Sequence, residues 1–146
     1  KTGLKPISLE LVQEMTHWTR RHTYYTQTFC QRLYSMVSKK VTLNDIEKTK
    51  LQLMKEQEAI FYNYRSLLSL AQWKHLMAIG KADIVNKPTS ASFISTYSLG
   101  SHSTVRQSLA TLLQHELIFA THPDTSQKPQ YQVYDVFLSR WLQHFG

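Results

Sequence analysis

Tyr97-Ser98-Leu99-Gly100-Ser101-His102-Ser103-Thr104 joins two helical patterns through a tight corner. Gly100 permits the positive φ that such a corner needs. Before it, Ser90 to Tyr97 has Phe93, Ile94 and Tyr97 at inward spacing. After it, Ser101 or Ser103 caps a helix whose apolar face is Val105, Leu109, Leu112 and Leu113. Two β-rich runs follow, Leu117 to Thr121 and Tyr131 to Val136, around the polar, Pro-bounded stretch His122 to Pro129. That is a hairpin pattern. Asp135 is placed to cap a last helix bearing Phe137, Leu138, Trp141, Leu142 and Phe145. Helix, corner, helix, hairpin, helix is the order of a winged helix-turn-helix with a two-stranded wing, so the predicted fold is mainly α.

Working back towards the N-terminus, Ser69-Leu70-Ala71-Gln72 is a capping box that starts a helix with Trp73, Leu76, Met77 and Ile79, ended by Gly80. Thr42 and Asp45 open a further helix that runs to about Arg65, with Ile46, Leu53, Ile60 and Tyr64 towards one face. Ser8 to Val37 reads as one helix or as two with a break between Thr16 and Thr28, where Thr and aromatic residues lower helix propensity. Its stripe runs from Leu9 through Met15, Thr19, Phe29 and Leu33, widened by Trp18, Tyr24, Tyr25 and Tyr34. Cys30 lies in an apolar register and is expected to be a core thiol. The predicted division is a helical subdomain over residues 1–66 and a winged helix over 67–146.

The 146 residues carry a formal charge of +7, from 17 Lys and Arg against 10 Asp and Glu. A basic balance favours polyanionic partners. The surplus is spread evenly: residues 1–64 hold 10 basic and 6 acidic residues, residues 65–146 hold 7 and 4. Gly3, Gly80, Gly100 and Gly146 stand too far apart for a phosphate-binding P-loop, and the seven histidines match no zinc spacing. No catalytic or metal-binding residue is therefore expected. The chain opens on Lys1, as expected of a piece of a longer protein. No apolar run reaches membrane-spanning length, and the single cysteine fits a reducing compartment, so a cytoplasmic location and no membrane partner are expected.

Two segments together carry a resemblance. One is Trp18-Thr19-Arg20-Arg21-His22-Thr23-Tyr24-Tyr25-Thr26-Gln27. The other runs from Leu68-Ser69-Leu70-Ala71-Gln72-Trp73 to Tyr131-Gln132-Val133-Tyr134-Asp135-Val136-Phe137-Leu138-Ser139-Arg140-Trp141-Leu142. This resembles the helical lid and winged helix at the C-terminal end of bacterial and archaeal P-loop ATPases of the AAA+/STAND type, relatives of origin-recognition ATPases. The resemblance implies ATP and Mg for the parent protein and none for this piece. It also implies a nucleotide-sensing role for Arg20 or Arg21. The family pattern has Gly and Pro where this chain has Arg21 and Thr23, so the two lid helices are expected to fuse.

The resulting expectation is a non-catalytic segment that couples nucleotide state to recognition of DNA or protein. A stand-alone winged-helix transcription regulator, dimerising through its N-terminal helices, is the alternative. The residues expected to contact double-stranded DNA are Ser103, Thr104, Arg106 and Gln107 on the second helix of the corner, and Lys128 on the wing with His122 and Gln127. The even spread of charge leans towards packing on an ATPase core or a partner protein, and leaves DNA contact open. Tyr131 and Tyr134 are expected in the base of the wing. Phe137, Trp141 and Phe145 are expected to close the winged-helix core, with a dimer face as the alternative.

Overall fold

A computed structural model describes residues 5–122 and 128–146. Seven helices and two strands follow in order among these residues: α1 Leu9–Trp18, α2 Thr23–Met36, α3 Leu43–Leu67, α4 Leu70–Ala82, α5 Ala91–Tyr97, α6 His102–Gln114, β1 Ile118–Thr121, β2 Gln130–Val133 and α7 Val136–Phe145. They fall into two compact units, Lys1–Glu58 and Ala59–Gly146, with the division inside α3.

In the first unit, Ser8 caps α1 by accepting from Leu11 N, and Thr42 and Asp45 form reciprocal hydrogen bonds at the start of α3. Met15, Tyr25, Phe29, Leu33, Val37, Ile46 and Leu53 are buried. The expected fusion of the first two helices does not occur. The backbone turns between Trp18 and Thr23, inside the stretch where a break is the other expectation. Arg20 N bonds to His17 O and Arg21 N to Thr16 O, and Arg20 and Arg21 take φ of 55° and 54°. This pair of bonds is a Schellman stop, made here without glycine. Buried Thr19 secures the corner through its hydroxyl, which lies 2.8 Å from that of Thr26. Four core expectations are corrected. Leu9, Tyr24 and Tyr34 are 71%, 60% and 51% exposed. Cys30 is exposed at its outer edge and rests on Met15 Sδ at 3.6 Å. The three- and four-residue steps of the sequence place an apolar stripe, but a stripe that wide also covers residues on the flanks of the helix.

In the second unit, the capping box of Ser69 and Gln72 starts α4, and Ser90, Ser101 and Asp135 cap α5, α6 and α7. Helix α4 is central and packs against α6 and α7. Gly80 lies within α4 rather than ending it. A Cβ there would stand 2.7 Å from Leu142 Cδ1 and 3.0 Å from Leu142 Cβ, so glycine sets how closely α7 approaches. Phe137, Leu138, Trp141 and Leu142 are buried and close the core, while Phe145 is 42% exposed. Trp141 packs tilted against Phe61, a fully buried residue of α3, with ring centroids 5.6 Å apart. His75 is fully buried on α4, and its Nε2 donates to the Pro88 carbonyl at 3.0 Å. Burial pushes its pKa down, so the ring is neutral.

Candidate nucleic-acid interface

The corner between α5 and α6 is built from two positive-φ residues. Ser98 is left-handed at φ 52°, with its N–H bonded to Ser95 O and Leu99 N bonded to Ile94 O. Gly100 follows at φ 96°, as its residue type permits. Between them Leu99 turns inward onto Ala78 and Val105, with Phe93, Ile94 and Tyr97 packed around them. This cluster sets α6 against α4 and so determines which side of α6 faces solvent.

On the inner side of α6, Val105, Ser108 and Leu112 are buried. His102, Ser103, Arg106, Gln107 and Ala110 are exposed. Ser103, Arg106, Gln107 and Ala110 stand at steps of three, one and three, which is one face of a helix. Thr104 departs from the expected set. It is half-buried, and its hydroxyl accepts from Ser101 Oγ at 2.8 Å while its N–H bonds to the same oxygen. Its side chain belongs to the cap. Ser103 is exposed, with Oγ 3.3 Å from Ser101 Oγ.

The wing is an antiparallel pair in which Ile118 faces Val133 and Thr121 faces Gln130. Ile118 and Val133 are buried at its base. A third element, missed in the sequence, completes the sheet edge: Val85 exchanges both backbone hydrogen bonds with Tyr131, at 2.9 and 2.8 Å. Its signal is weak, one apolar residue ahead of Asn86-Lys87-Pro88. Asp83 also binds the hairpin by accepting from Gln132 Nε2 at 3.2 Å. Tyr131 is half-buried as expected. Tyr134 is not core; it is 60% exposed and sits edge-on to Phe119. Lys128 is exposed beside the wing, and Gln127 lies outside the described residues.

A helix-turn-helix whose second helix shows a polar outer face, followed by a hairpin tethered to the preceding loop, matches one family model. The model, described as a probable winged helix domain, covers residues 59–144. The chain belongs to this winged-helix family. No curated protein and no solved structure matches it. The winged-helix unit thus holds Ser103, Arg106, Gln107 and Lys128 on its surface. Arg20 and Arg21 lie in the other compact unit, at the left-handed corner between α1 and α2, where Arg21 is exposed and Arg20 half-buried. Among the described residues, no group of three His, Cys, Asp or Glu side chains is placed to hold a metal ion, and no helix is long and apolar enough to cross a membrane.

Proposed function

We propose that this chain is a non-catalytic recognition module that binds duplex DNA, with the outward face of α6 in the major groove and Lys128 on the phosphate backbone. The observation that carries this reading is the single exposed face shared by Ser103, Arg106 and Gln107. Arg and Gln can each make paired hydrogen bonds to a purine edge, and Ser can contact phosphate. A protein-docking face is rich in aromatic and large apolar side chains at its centre. The exposed side of α6 has only Ala110 among apolar residues. This favours nucleic acid over the protein-only reading.

Titrating duplex DNA at two salt concentrations tests the proposal. Arg106→Ala with Lys128→Ala should weaken binding by at least about tenfold, with the salt slope lowered by about 1 through the lost Lys128 phosphate contact. Unchanged affinity in the double variant would remove α6 and the wing as the binding surface. Thr104→Val should affect helix capping rather than base readout, since its hydroxyl is engaged within the protein.

The wider context rests on the resemblance to lid-plus-winged-helix ATPases. In that reading a P-loop core precedes this chain in a cytoplasmic parent protein, binds ATP and Mg, and is sensed by Arg20 or Arg21. The φ of 54° at Arg21 is the backbone state that the family's glycine adopts readily. A P-loop motif encoded upstream in the same reading frame is the expected result. A start codon near Lys1 would replace the ATPase parent with a stand-alone regulator and leave the DNA reading intact.

A further inference from the structure

The outer face of α2 carries a pattern that reads the same in both directions. Tyr24, Gln27, Gln31 and Tyr34 are all exposed and recur at steps of three, four and three. They project away from Tyr25, Phe29 and Leu33, the buried side of the same helix. None of these four residues is charged. The one charged side chain of α2, Arg32, points elsewhere and pairs with Glu56 at 2.9 Å. Lys5 braces the edge, with its ammonium 4.1 Å from the Tyr34 ring centroid. A surface depression of about 680 Å³ opens among these side chains.

We propose that this face binds a second copy of the chain, with the two α2 helices antiparallel about a two-fold axis at Phe29. Residues 24 and 34 share a midpoint with 27 and 31, so the symmetric pairing sets Tyr24 against Tyr34 of the second copy and Gln27 against its Gln31. A two-fold interface requires this kind of self-complementarity. The steps are those of a and d positions in a coiled-coil seam, in which antiparallel helices pair a with d. Tyrosines then pack at both ends, and the side-chain amides can donate to and accept from each other in the middle. A chain with a formal charge of +7 repels its own copies, and an uncharged face gives two copies a surface on which to meet. Helix direction follows from charge. Parallel helices would bring Arg20 and Arg21 of both copies to one end and align the helix dipoles. Antiparallel helices hold those arginines more than about 21 Å apart, beyond the length of a 14-residue helix. This inference stands independently of the DNA reading.

Cys30 provides a direct probe of direction, because it flanks the seam one residue from the axis. In an antiparallel pair the two Cys30 side chains lie on the same edge near each other; in a parallel pair each meets the opposite flank of its neighbour. Partial burial raises the thiol pKa, so cross-linking with a maleimide reagent is run at mildly alkaline pH, where the reactive thiolate is present. Sedimentation equilibrium of the full chain should give twice the monomer mass, and a short bis-maleimide should link Cys30 to Cys30. Gln27→Arg with Gln31→Arg should raise the dimer dissociation constant by at least about tenfold, through like charges across the seam. Gln27→Lys with Gln31→Glu should keep the dimer, since opposite charges then face each other in the antiparallel arrangement. A wild-type chain that stays monomeric to its solubility limit overturns the proposal, as does a dimer indifferent to the two arginines. A dimer lost in the Lys/Glu variant, or one that never links through Cys30, overturns the antiparallel pairing. Far-UV circular dichroism of each variant verifies that the helices remain folded.

Discussion

Helices α2 and α6 are close in length and opposite in surface chemistry. Each buries an apolar stripe: Tyr25, Phe29 and Leu33 on one, Val105 and Leu112 on the other. Outward, α6 shows Ser103, Arg106 and Gln107, while α2 shows Tyr24, Gln27, Gln31 and Tyr34. A small cation-bearing polar face suits the phosphates and base edges of a duplex. An uncharged aromatic and amide face suits another protein surface. The overall charge of +7 belongs to the whole chain and does not distinguish these faces; the distribution along each helix does.

If the helices differ only outwardly, their inner faces should be equally demanding. Phe29→Ala should cost about 3–5 kcal/mol and Leu112→Ala about 2–5 kcal/mol, because both side chains are fully buried and each truncation leaves a cavity. Gln27→Ala and Gln107→Ala should each change stability by no more than about 0.5 kcal/mol. Urea unfolding followed by circular dichroism measures all four. A large loss from either glutamine would show that its exposed face supports the fold and would break the comparison.

The two units also differ in their use of glycine. Gly80 brings α4 against Leu142 in the winged-helix unit, whereas residues 5–58 of the first unit contain no glycine. Gly80→Ala inserts a Cβ against a fully buried leucine and should destabilise by about 1–3 kcal/mol despite the better helix propensity of alanine. Restoration by the smaller partner in Gly80→Ala with Leu142→Val would assign the loss to this contact.

His75 gives the winged-helix unit a pH dependence with a definite sign. Its folded pKa is depressed by burial, so the unfolded chain binds the proton more readily. Its contribution to stability is present above the unfolded histidine pKa and is lost as pH falls below it. The slope reaches at most about 1.4 kcal/mol per pH unit while one proton is taken up on unfolding. Unfolding free energies between pH 7.5 and 5 (a range chosen about the unfolded pKa of roughly 6.5) should fall, and His75→Gln should flatten that part of the curve. An unchanged slope in the variant would assign the dependence to other groups.

Local hydrogen bonding is largely legible in the sequence. Ser8, Thr42, Ser69, Ser90, Ser101 and Asp135 each sit at a helix start with a short side-chain acceptor, and each serves there. The β-rich runs on either side of the Pro-bounded loop identify the hairpin. Tertiary relations are less visible. Val85 joins the sheet only because Tyr131, 46 positions later, arrives beside it. Thr104 reads as a surface contact until the cap claims its hydroxyl. The exposure of Tyr24 and Tyr34 depends on which flank of α2 the core occupies, a choice that helical spacing narrows without making. The same holds for the candidate interface: the sequence locates the helix, and packing selects Ser103, Arg106 and Gln107 from it.

A smaller effect than that at Gly80 is expected at the corner that the sequence leaves most ambiguous. Arg21 lies at φ 54°, a conformation that costs a residue with a Cβ about 1–2 kcal/mol. Glycine would relieve that strain but lose about 0.5–1 kcal/mol of chain entropy on folding. The balance favours Arg21→Gly by about 0.5–1 kcal/mol, and Arg21→Ala, which keeps the Cβ, should bring no such gain. Gly100 already supplies this freedom at the corner before α6, at φ 96°. A stabilised glycine variant beside an unimproved alanine variant, compared by urea midpoint, would therefore show that the first unit achieves with side-chain-bearing residues the turn that the winged-helix unit makes in part with glycine. Equal midpoints for the two variants would mean that the Cβ is not what strains Arg21.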